Sequence, residues 1–110
     1  MKKAMISQPM NGLTDEQIEE TRNRAIAYLE SQGYEVVNTL FSDEWHSENM
    51  DKRRFRNIPL CFLAKSIERM SLCDTVYFCN GWENTRGCTI EHTIAFNYGL
   101  KILYEKVRNK

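Results

Sequence analysis

Thr75-Val76-Tyr77-Phe78, running into the polar stretch Cys79-Asn80-Gly81-Trp82-Glu83-Asn84-Thr85-Arg86 and then Gly87-Cys88-Thr89-Ile90-Glu91-His92, decides the fold. A compact β-prone run bounded by polar residues predicts a buried strand. Cys88 to Tyr98 reads as a helix stopped by Gly99, and Lys101 to Tyr104 as a further strand. A strand, a loop, a helix and a strand in that order predict two parallel strands joined by a crossover.

Upstream, Pro59 suits a helix start, and Leu60, Leu63, Ala64, Ile67 and Met70 form an apolar stripe running to about Ser71. From Asn38 to Asn57 the pattern dissolves: Phe41, Trp45, His46, Met50 and Phe55 lie among charges without a strand period. Such a stretch reads as a lid, a binding loop or a segment hiding a short helix. Tyr34-Glu35-Val36-Val37 is a strand, and Lys3 to Ser7 another, broken by the turn signal Gln8-Pro9-Met10-Asn11-Gly12. Between them Thr14-Asp15-Glu16-Gln17 has the form of a capping box. The helix it opens carries Ile18, Ala25, Tyr28 and Leu29 at helical spacing, with Glu19, Glu20, Arg22 and Arg24 mostly outside, and it stops at Gly33. The alternation predicts a Rossmann-like or flavodoxin-like α/β/α fold, a small parallel sheet with helices on both faces. Ligands of such sheets sit beyond the carboxyl ends of the strands, which gathers the segments after Ile6, Val37 and Phe78 around one site.

No repeat, linker or low-complexity tract divides the chain, and 110 residues suit a single domain spanning 1–110. Fifteen basic and fifteen acidic residues give a formal net charge of zero, so no electrostatic argument favours a nucleic acid polymer or an acidic membrane surface. No apolar run approaches the ~20 residues of a membrane span. The start Met1-Lys2-Lys3-Ala4-Met5 lacks the apolar centre of an export signal. The four cysteines are therefore expected as thiols in a reducing cytoplasm.

Glu91 draws most attention among the polar residues. It falls beside Ile90, Ile94, Ala95 and Tyr98, at the border of an apolar helix face. A carboxylate there is paired, neutralised or used; the plainer reading is a surface glutamate leaning on Arg86 or Lys101. Asp74 precedes the buried strand and either makes a turn or joins the site. Two carboxylates converging on one pocket are what chemistry at a sugar C1 requires. Trp82 either stacks on a base or covers the sheet edge, and Trp45 and His46 either close over a ligand or ride on a loop. Lys52-Arg53-Arg54 with Arg56 is a solvated face or steers a phosphate. Cys88 and His92 lie one helical turn apart, but no paired-cysteine motif exists, so neither a metal nor a redox cofactor is expected.

The run Tyr77 to His92 quoted above, closed by Tyr98-Gly99-Leu100-Lys101 and preceded by Met5-Ile6-Ser7-Gln8-Pro9-Met10-Asn11-Gly12, resembles short members of the nucleoside 2-deoxyribosyltransferase-like superfamily, a group often found in phages and prophages. The resemblance covers nearly the whole chain and is weakest from Asn38 to Asn57. It implies that Glu91, four residues after Gly87, is the nucleophile that attacks C1′. It implies that Asp74 handles the proton of the departing base. Ser7, Gln8, Met10 and Gly12 would frame sugar and base, and Asn80, Trp82, Thr85, Arg86 and Gly87 would complete the substrate site, the helix start holding a phosphate or a sugar hydroxyl. The sequence departs from the superfamily pattern in three ways. Thr85 stands where the transferases carry an aspartate, in the manner of relatives that cleave 5′-monophosphates. No tyrosine lies between Ser7 and Gly12. One strand follows the Glu91 helix, without the longer portion of full transferases.

The resemblance thus implies an enzyme that cleaves or transfers the N-glycosidic bond of a 2′-deoxynucleoside or deoxynucleoside 5′-monophosphate through a covalent deoxyribosyl-glutamate. The alternatives are a module of the same fold that binds a nucleotide without turnover, and a small interaction protein with a vestigial pocket. The expected ligand is a small nucleoside or nucleotide. The exposed edges of so small a sheet and the stripe Leu60, Leu63, Ile67 and Met70 suggest a homodimer or higher homo-oligomer.

Overall fold

The structure, a computed structural model, describes residues 2–38 and 57–106. The Trp45–His46 lid and the basic cluster at Lys52, Arg53, Arg54 and Arg56 fall outside the described residues. Among the described residues four strands and three helices alternate: β1 (Lys2–Ser7), α1 (Asp15–Ser31), β2 (Tyr34–Val37), α2 (Ile58–Met70), β3 (Thr75–Phe78), α3 (Arg86–Asn97) and β4 (Lys101–Tyr104), with a 3₁₀ turn at Trp82–Asn84. The sheet is wholly parallel, in the order β2-β1-β3-β4. This is the α/β/α architecture expected of the sequence. α3 begins at Arg86, two residues before the expected Cys88, and β1 begins at Lys2.

The period of two along each strand sorts side chains between two cores. Ala4, Ile6, Tyr34 and Tyr77 meet Ala25 and Leu29 on the α1 face. Met5, Val76 and Phe78 meet Met70, Cys73 and Ala95 on the face covered by α2 and α3. Both faces being covered, β3 is buried at all four positions, as a central parallel strand requires.

Local chemistry sets the helix ends. The Thr14 hydroxyl accepts from the Gln17 amide at 3.1 Å while Gln17 Oε1 accepts from the Thr14 amide at 3.0 Å, completing the capping box. After α1, Gly33 takes φ +87°, a left-handed conformation that a Cβ would penalise. Asn57 caps α2, its Oδ1 accepting from the Leu60 amide at 3.0 Å.

Two sequence expectations need correction. Arg22, assigned to the outer face of α1, is buried. It lies three and seven residues before Ala25 and Leu29, on their stripe, and its Nη2 donates to Asn38 Oδ1 at 3.1 Å. Burial pushes its guanidinium pKa down. The apolar stripe of α2, assigned whole to an oligomer contact, is divided in use. Met70 is buried in the core, whereas Leu60 is 57% exposed.

Among the described residues no helix is long and apolar enough to cross a membrane. The four cysteines are free thiols. Burial pushes the thiols of Cys73 and Cys79 up to about 11 and about 12, which keeps both protonated and poorly nucleophilic.

Candidate functional site

The strand order places the site. From β1 the chain leaves to one side and covers one face with α1; from β3 it leaves to the other side and covers the opposite face with α3. The carboxyl ends of these adjacent strands are the switch point at which α/β sheets open a crevice. Ser7 ends β1 and shares the face of Met5, so its side chain points into the α2–α3 layer. On α3, Cys88, Glu91 and Ala95 turn toward the sheet. The two elements bring Ser7 and Glu91 together: the serine hydroxyl donates to Glu91 Oε1 at 2.6 Å, with Glu91 only 7% exposed.

Burial pushes the Glu91 carboxyl above its ordinary range, while hydrogen bonds from the Ser7 and Ser66 hydroxyls pull it back by favouring the ionised form. Burial likewise pushes up the thiol of Cys88, opposed by hydrogen bonds with Ser7 and Thr85 and reinforced by the nearby Glu91 charge. A carboxyl so placed can accept a proton, donate one, or attack an electrophilic carbon, depending on pH.

Glu91 opens onto a cavity of about 800 Å³, within the usual range of small-molecule sites. Its polar end consists of Thr85, Arg86 and Gly87 at the start of α3, with Gln8 and Asn57. Thr85 makes no side-chain cap for the helix; its hydroxyl donates instead to the Trp82 carbonyl at 3.2 Å. The first amides of α3 therefore have no capping side chain, and Gly87 has open space where a Cβ would stand. That end suits an anion or a hydroxyl. The opposite wall is apolar: Ile58, Leu60, Phe62 and Leu63 of α2, with Met10 and Ile90. A second concavity of about 590 Å³, on the outer side of α1 among Glu16, Glu19, Glu20 and Arg24, is a charged face without a buried reactive group.

A family model described as "Domain of unknown function (DUF4406)" matches residues 2–104. The chain belongs to the DUF4406 family. No curated protein and no solved structure matches it.

Of the site residues expected for this DUF4406 chain, Gln8, Met10, Thr85, Arg86, Gly87 and Glu91 line the cavity together. Gln8 is anchored by its Nε2, which donates to the Ile18 carbonyl at 3.0 Å. Ser7 lies behind Glu91, outside the lining. Gly12 serves the turn, at φ +77° next to the Leu13 amide that donates to the Met10 carbonyl at 3.2 Å. Asn80 is held elsewhere, its amide donating to Glu105 Oε1 at 2.9 Å. Trp82 stacks on His92 with ring centroids 4.2 Å apart and packs on Phe78, on the β4 side of α3. It covers the sheet end and is absent from the cavity lining.

The structure does not bring Asp74 to Glu91. Asp74 precedes β3, whereas the cavity lies beyond its far end, about 13 Å away along four strand residues. The aspartate ties strand starts together: its Oδ2 accepts from the Lys3 amide at 2.9 Å, its own amide donates to the Lys3 carbonyl at 2.8 Å, and its carbonyl accepts from Lys101 at 3.0 Å. Glu91 is the one carboxylate among the described residues lining the cavity.

Sequence reasoning missed the α2 wall and Ser66. The signal was present: Leu63, Ser66, Ile67 and Met70 follow helical spacing, and the serine interrupts an otherwise apolar stripe. A polar residue facing inward asks for a partner, and Ser66 finds Glu91. Among the described residues no group of three or more His, Cys, Asp or Glu is placed to hold a metal ion.

Proposed function

We propose that this chain binds a 2′-deoxynucleoside or its 5′-monophosphate in the cavity and cleaves or transfers the N-glycosidic bond, with Glu91 as the nucleophile. The observation that carries the reading is the buried Glu91 carboxyl, hydrogen-bonded by Ser7 and facing a cavity at the switch point. The Gly87–Glu91 spacing and the resemblance to the 2-deoxyribosyltransferase-like superfamily support it. The apolar wall of α2 suits the flat face of a base, and Thr85, Arg86 and the amides opening α3 suit a phosphate or a sugar hydroxyl.

In this reading a carboxylate oxygen of Glu91 bonds to C1′ as the C1′–N bond breaks, and the bonding pair leaves with the base. Water then adds to C1′, releases Glu91, and its proton balances the one the base takes up; a second base in place of water gives transfer. With Asp74 at the other end of the sheet, the proton for the base comes from solvent. The reaction calls for no metal or redox cofactor. The absence of a second carboxylate in the described lining favours a slower reaction, and with it the alternative of a binding module that holds the nucleotide without turnover. A homo-oligomer and a cytoplasmic setting belong to the same proposal.

The test is incubation with the four 2′-deoxynucleosides and their 5′-monophosphates, with and without a second base, read by chromatography, with Glu91→Gln as control. Release or exchange that vanishes in the variant supports the enzyme. Saturable nucleotide binding without release supports the binding module. Neither binding nor release overturns both.

A further inference from the structure

We propose that Ser7 is a positioning residue for Glu91: it holds one carboxylate oxygen against the end of β1, so that the carboxylate meets the cavity in one orientation. The inference rests on the reading of Glu91 as the reacting group, and it changes the expected role of Ser7 from substrate contact to support.

Three observations carry it. First, Ser7 is 2% exposed against 7% for Glu91, and Glu91 lines the cavity while Ser7 does not. The serine is behind the carboxylate, shielded from any ligand. Second, Ser7 is anchored by main-chain pairing in the middle of the sheet. It pairs with Phe78 between the two central strands, and its carbonyl accepts from the Cys79 amide at 3.0 Å. Third, the proton inventory fixes the direction of the contacts. An ionised carboxylate only accepts, so the single hydroxyl proton of Ser7 is committed to Glu91. That bond fixes the serine rotor and, with it, one oxygen of the carboxylate. The groups acting on Glu91 from the packed elements are Ser7 of β1, Ser66 of α2 and Cys88 of α3, and only Cys88 among them is titratable.

The experiment compares wild type with Ser7→Ala and Ser7→Thr, using the full chain. The Glu91 carboxyl is followed by ¹³C NMR titration, which needs no substrate, and turnover is measured across pH. Loss of the donor in Ser7→Ala moves the Glu91 titration to higher pH and, with it, the acidic limb of the rate profile. kcat falls about ten- to hundredfold, as removal of a hydrogen bond to a charged group implies, with KM little changed. Ser7→Thr keeps a hydroxyl and restores the wild-type titration. An unmoved Glu91 titration in a folded Ser7→Ala overturns the proposal. So does a covalent substrate adduct on Ser7, which would make the serine the nucleophile. A titration that moves in a protein without turnover supports the positioning contact and removes the enzymatic reading.

Discussion

Asp74 and Glu91 are carboxylates at opposite ends of the sheet, and the fold uses them differently. At the amino end Asp74 is exposed and accepts from a main-chain amide, stitching β3 to β1. At the carboxyl end Glu91 is buried, held by side-chain hydroxyls and open on a cavity. The first faces water; the second bears a desolvation cost that its hydroxyl contacts only partly offset. The first kind of carboxylate serves the sheet by joining two strand starts. The second destabilises the chain on its own and makes sense as part of a site.

The largest expected effect is on turnover. Glu91→Gln keeps the shape and an acceptor for Ser7 but removes the attacking oxygen, and the rate of glycosidic cleavage falls by about a thousandfold or more. An active Glu91→Gln would break the comparison at its strongest point. Next comes ligand affinity. Leu63→Asp places a charge in the apolar wall and weakens nucleotide binding by about tenfold or more, measured by calorimetry. Unchanged affinity would show that the base lies elsewhere.

Stability against pH sharpens the contrast. Because the folded-state pKa of Glu91 is raised, the native state binds more protons than the unfolded state between the ordinary carboxylate range and the raised value. Over that window stability falls as pH rises, and above it the loss persists. Glu91→Gln removes this contribution, so denaturant titrations show a flatter profile and a variant at least as stable as wild type at neutral pH. A steeper profile in the variant contradicts the burial argument. The smallest effect belongs to Asp74→Asn. It weakens the contact with Lys3, costs about 1 kcal/mol or less for so exposed a bond, and leaves turnover within about twofold of wild type. Loss of turnover in a folded Asp74→Asn would return the aspartate to the chemistry and erase the difference between the ends.

How much was legible follows from the range of each interaction. Capping box, strand limits and the glycine stop after α1 depend on residues a few positions apart, and the sequence displays them directly. The three-layer arrangement follows from the alternation of strand and helix. Glu91 stood out because a charge beside Ile94 and Ala95 breaks a helical stripe. Asp74 was misplaced because adjacency to a strand does not reveal which end faces the site; here β3 starts immediately after it. Trp82 sits outside the cavity lining, stacked on His92, ten residues on, a contact that no local pattern announces. Arg22 was read by charge alone, although its spacing from Ala25 and Leu29 already placed it inward.

The alternation along β1 has a further consequence. Ser7 and Gln8 are neighbours, yet one side chain reaches α3 and the other reaches α1. Register therefore matters here as well as residue identity. Deleting a single amino acid within Lys2–Ile6, with the start of β1 held in register, shifts the residues after it by one and presents the wrong parity at the strand tip: the glutamine side chain faces Glu91 and the serine faces α1. Such a deletion keeps nearly every side chain yet empties the support beneath the carboxylate, so the length of this strand is as much a part of the site as its residues.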